Sequence, residues 1–157
     1  MDSIGMLEQE RSLITNLVKN TSADDLLVIP NGFSNNILWN LGHVVVTQQL
    51  LHYALASLPL HVSDELVSQC RRGTSPKDWA SAPDSVPDVE MLLEQLVSLP
   101  ETLREDYQAG RFNTFKPYTT STGIRFETID DALTFNHFHE GLHAGAMRAL
   151  KKAIAAT

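Results

Sequence analysis

A single cysteine, Cys70, stands in 157 residues, which excludes an intrachain disulfide framework and points to a reducing compartment. The chain has no apolar run of membrane length. Its greasiest stretch, residues 44–58, is broken by Thr47, Gln48, Gln49 and His52, so no membrane partner is expected. Basic charge is scarce: the formal net charge is -7, and the pairs Arg71-Arg72 and Lys151-Lys152 are short and far apart. That excludes the electrostatic track a nucleic acid requires, and both pairs read as solvated surface. No basic segment followed by an apolar core marks the start, Met1-Asp2-Ser3, so no signal peptide is expected and a cytoplasmic protein is the default. Internal repeats, heptad arrays and low-complexity tracts are also missing.

What the chain does have is an ordinary apolar share, 43%, and a length that suits one domain over residues 1–157. Apolar groups recur at helical spacing over residues 4–19, from about 34–36 to 57, over 88–107 and over 129–154. Ser63-Asp64-Glu65 starts a short helix with Cys70 in its last turn. Pro100 falls inside the third long pattern and predicts a kink or a break there. Residues 22–32 and 73–87 read as loops, the second a crossover pinned by Trp79. Residues 110–127 read as irregular, carrying Phe112, Phe115 and Tyr118. Thr128-Ile129-Asp130-Asp131 has capping-box spacing. Four long helices joined with one long crossover connection predict an all-α four-helix bundle.

The chemistry is concentrated in histidine. His139 and His143 are four apart and share a helix face, and His43 sits centrally on the inward stripe of another helix. Buried neutral imidazoles require partners, and a divalent metal satisfies one nitrogen on each ring. The bland reading is a chance pair of surface or hydrogen-bonded core histidines. No fourth protein ligand is evident, which fits an open coordination position and disfavours a closed structural zinc site. His139-Glu140-Gly141-Leu142-His143 matches the zincin signature formally, but the 14 residues after His143 hold no further ligand and no sheet is expected. Glu140 is a candidate catalytic base or hydrogen-bond acceptor. Asn36, Trp39, Asn40 and Tyr118 are candidates for binding a small molecule, although Asn36 equally suits a helix cap and Trp39 a core position. Gly42, Gly141 and Gly145 read as sites of close helix approach. His137, His52 and His61 are out of phase or in a loop, and read as exposed or locally hydrogen-bonded groups.

Asn36-x-x-Trp39-x-x-Gly42-His43, followed by His-Glu-x-x-His-x-Gly at residues 139–145, resembles the DinB/YfiT-like superfamily, and the resemblance spans nearly the whole chain. It implies a small four-helix bundle with His43, His139 and His143 as metal ligands. Ala146 stands where the family usually carries a glutamine. The resemblance further implies zinc, nickel or iron at the site. It also implies a thiol-dependent transferase using a low-molecular-weight thiol, or a metal-dependent hydrolase, with a small-molecule substrate. The family often forms homodimers, so a second copy is an expected partner. The competing class is a non-catalytic, metal-stabilised bundle that binds a ligand or serves a stress response.

Overall fold

The computed structural model describes residues 2–81 and 85–156. It is helical nearly throughout: α1 (Ser3–Lys19), α2 (Ala23–Leu27), α3 (Ile37–Gln49), α4 (Asp64–Cys70), α5 (Val89–Gln108) and α6 (Ile129–Ile154). A wider π turn, Leu50–Ala54, prolongs α3, and a 3₁₀ turn, Pro76–Ser81, follows α4. The short α2 occupies a segment expected to be loop, started by Ser22, whose hydroxyl accepts from the Asp25 backbone N–H.

Helix starts follow local chemistry. Asp2 caps α1, Asn36 caps α3 and Asp88 caps α5. The Thr128–Asp131 capping box starts α6 as its spacing predicts. Among the four long helices, α1 packs against α5 and α6, and α3 packs against the same two from the other side. The links α1–α3 and α5–α6 therefore join diagonal neighbours across the bundle. Trp79 is buried with the main core, as expected of a residue pinning the crossover.

Two departures from the sequence reading have physical causes. Helix α5 runs through Pro100 without a break. A proline cannot bond the carbonyl four residues back; here that carbonyl, Leu96 O, accepts from Arg11 Nη1 at 3.4 Å. Residues 110–127 are irregular but fold into a small antiparallel ladder, β1 (Tyr118–Thr119) with β2 (Arg125–Phe126). Phe112 and Phe115 pack with Tyr53 and Leu133, closing the bundle end where α6 begins.

The interior carries an ion pair. Arg11 and Glu140, each about 1% exposed, meet at 2.8 Å, and Asn136 Nδ2 donates to the same Glu140 oxygen at 2.8 Å. With the Leu96 contact, this ties α1, α5 and α6 together in the core. No helix among the described residues is long and apolar enough to cross a membrane.

Candidate metal centre

The site starts from the cap of α3. Asn36 Oδ1 accepts from the Trp39 N–H at 2.7 Å, and its amide donates to Leu27 O at 3.2 Å. Trp39 is thereby fixed one turn before His43, and the two rings stack with centroids 4.6 Å apart and planes 11° from parallel. The indole N–H donates to Thr74 Oγ1 at 3.0 Å, anchoring Trp39 to the segment after α4.

Helix α4 approaches α3 closely at Gly42, where a Cβ would stand 2.4 Å from Cys70 Sγ. This contact brings the Cys70 carbonyl within 2.7 Å of His43 Nδ1. A carbonyl only accepts, so Nδ1 carries the proton and the Nε2 lone pair is free. The same logic applies to His143. Asn40 Nδ2 donates to Asn36 O, which leaves its Oδ1 as acceptor, 2.8 Å from His143 Nδ1. His143 therefore also turns a bare Nε2 away from its partner.

His43, His139 and His143 converge, each offering a nitrogen within 4.8 Å of the others. The Nε2 atoms of His43 and His139 are 3.2 Å apart. Two imidazoles sharing one tetrahedral ion at ~2.0–2.1 Å stand about 3.3 Å apart. The donor set therefore fits a divalent ion. Hydrogen bonding of the far nitrogen to an oxygen is the usual support of a metal-binding histidine, and two of the three rings have it. His139 Nδ1 is buried with no hydrogen-bond partner among the described residues.

Electrostatics favour the neutral, ligating form. Burial lowers the His43 pKa, against a smaller upward pull from the Cys70 carbonyl. Burial, then the charges of His143 and His43, push His139 down to about 3. Burial and His43 push His143 down to about 4. Three imidazoles are thus held neutral near pH 7, and those of His43 and His143 keep a bare Nε2.

The other sequence candidates divide. Asn40 joins the cluster directly through His143, while Asn36 and Trp39 support it from the cap and the stack. Glu140 has different partners from those expected of a base at the histidines: its carboxylate lies in the core with Arg11 and Asn136. The one-residue offset from His139 rotates it by about 100°, toward α1. Tyr118 is exposed and reaches the site indirectly, its ring against Phe126, Phe126 against Phe135, and Phe135 6.2 Å from the His139 ring. Gly141 and Gly145 face open space, so the close approach belongs to Gly42 alone of the three.

His137 bonds Ser3 and Glu10 on α1, and His61 is exposed. His52 is fully buried in the π turn, with Gln48 Nε2 3.4 Å from its Nδ1. Burial pushes the Cys70 thiol up to about 12, which makes it a poor nucleophile. Sequence reasoning missed two contributors: the Cys70 carbonyl, which no side-chain pattern reveals, and Thr47. The Thr47 hydroxyl lies 3.3 Å from His43 Nε2. Its place four residues after His43 is the same one-turn spacing that singles out His139 and His143, and was the available signal.

No curated protein matches the chain. A family model described as the DinB superfamily matches residues 6–147, covering α3, α6 as far as Met147, and all three histidines. With the helical bundle and the histidine cluster in place, the match identifies the chain as a member of the DinB superfamily.

Proposed function

We propose that the chain binds a divalent metal ion through His43, His139 and His143 and acts on a small molecule at the position those ligands leave open, as a thiol-dependent transferase or a hydrolase. The observation that carries this reading is the convergence of three inward-facing imidazoles, two of them oriented by oxygen acceptors. Three nitrogens suit zinc, nickel or iron and leave room for a further ligand. A metal there would supply Lewis-acid chemistry, acidifying water or a thiol at the open position.

The chain's own groups have separable tasks. The Cys70 carbonyl and Asn40 fix which nitrogen each ring presents, and Trp39 holds the plane of His43. Thr47 sets a hydroxyl beside His43 Nε2, where it can donate to or accept from a ligand. Glu140 serves the core in this reading, and the hydrogen-bonding role beside the metal passes to Thr47.

Cobalt(II) substitution tests the reading, because its visible spectrum reports on coordination. Loaded protein should show a low-symmetry cobalt spectrum, and a small thiol such as glutathione or cysteine should add a thiolate-to-cobalt band. A spectrum unchanged by every thiol in a cellular panel, together with no hydrolysis of activated esters or amides, would remove the catalytic part of the proposal.

A further inference from the structure

The surroundings of the histidines are chemically lopsided. On one side, residues 70–74 clasp the His43–Trp39 stack through the Cys70 carbonyl and the Thr74 hydroxyl, and Thr74 Oγ1 also donates to Arg71 O at 2.8 Å. Arg71 and Arg72, inside this clasp, are exposed, and neither guanidinium has an ion-pair or hydrogen-bond partner among the described residues. Two adjacent unpaired arginines are conspicuous in a chain of net charge -7.

The α6 side is apolar. The Cys70 carbonyl meets His43 at Nδ1 and His139 meets it at Nε2, so the two neighbours approach the ring at different nitrogens. Beyond His139 lies Phe135, and Phe138 packs on Phe135 with centroids 6.0 Å apart. Phe138 and Leu142 immediately precede the two α6 histidines and turn outward from them, each 55% exposed. Together with Phe135 they give α6 an apolar strip next to its histidines, a surface suited to an apolar ligand.

We infer that the molecule accepted at this centre is an amphipathic acid. Its carboxylate or phosphate faces Arg71 and Arg72, and its apolar body lies along Phe135, Phe138 and Leu142. Guanidinium forks recognise both acid groups by paired N–H donors, which a neutral or cationic ligand cannot satisfy. The inference rests on the metal-centre reading above, since the histidines define the middle of the site.

The test uses cobalt(II)-loaded protein titrated with octanoate, acetate and octylamine, following the visible cobalt band. Octanoate should perturb the band at far lower concentration than acetate, and octylamine should not perturb it. Arg71→Ala combined with Arg72→Ala should weaken octanoate by about tenfold or more. Phe138→Ser combined with Leu142→Ser should bring octanoate down to the level of acetate while leaving acetate unchanged. All four positions are exposed, and unaltered cobalt stoichiometry in the variants confirms an intact centre. Octyl phosphate run in parallel distinguishes the two acid groups; either one showing the same dependence on the arginines supports the inference. Equal octanoate affinity in wild type and the arginine variant, or octanoate no better than acetate, overturns it while the metal reading stands. Failure to bind cobalt at all defeats the metal reading, and this inference with it.

Discussion

At the residue scale, the least conspicuous position near the centre is Gly42. A methyl group there collides with Cys70 Sγ, and the sulfur is fully buried with little freedom to move. Gly42→Ala should therefore push α4 outward, lengthen the Cys70–His43 hydrogen bond and release the ring orientation. Overpacking of this kind costs about 1–3 kcal/mol, and loss of a supporting hydrogen bond costs about 10–100-fold in metal affinity. Adding Cys70→Ala removes the sulfur but keeps the backbone carbonyl, so the double variant should recover most of the affinity. Metal titration of both variants checks this; a double variant as weak as Gly42→Ala would show that the sulfur is not the obstacle.

The histidines themselves were legible because one-turn spacing and inward phase are written into local sequence. Their supports were not. Nothing near Cys70 in the sequence says that its carbonyl, 27 residues from His43, will meet an imidazole. Glu140 shows the converse problem: its place between the two histidines made it a candidate base or acceptor, while a partner 129 residues away pairs with it in the core.

At the element scale, the Arg11–Glu140 pair joins α1 to α6 in the core beside the site, with Leu96 O drawing in α5. Removing one member leaves a buried charge without its counterpart, so Glu140→Ala should lose about 3–5 kcal/mol of stability. The folded fraction should still bind metal, since the carboxylate is committed elsewhere. Urea unfolding and metal stoichiometry measured together decide this; a stable variant with no metal would return Glu140 to the centre. The same pair explains why the local rule at Pro100 fails. Proline disrupts an isolated helix, but here a tertiary donor occupies the carbonyl it leaves free. Helix boundaries elsewhere followed their caps closely, because caps are short-range chemistry.

At the scale of the whole molecule, stability should depend on both pH and metal. Burial, helped by the charge of Arg11, lowers the His52 pKa from 6.5 to about 3. The unfolded chain takes up that proton near pH 6.5, while the folded chain resists it. The contribution is therefore complete above pH 6.5 and is lost as pH falls toward 3. For a fully buried group this is roughly 2 kcal/mol by pH 5. Urea midpoints of metal-free protein should decline from pH 7.5 to 5, and His52→Gln should make the decline shallower without abolishing it, since His139 and His143 titrate in the same direction. Equal slopes in both proteins would show that His52 is not responsible.

Metal acts in the same direction by binding only the folded state. At a free concentration 100-fold above Kd it contributes about 2.7 kcal/mol, and chelation should lower Tm by about 5–10 °C. The proposed function turns on whether the three histidines hold that ion. The direct measurement is elemental analysis of metal-reconstituted protein after desalting, run beside His43→Ala and His139→Ala. The account predicts a single divalent ion per chain in wild type and little in either variant; full metal content in both variants would contradict it.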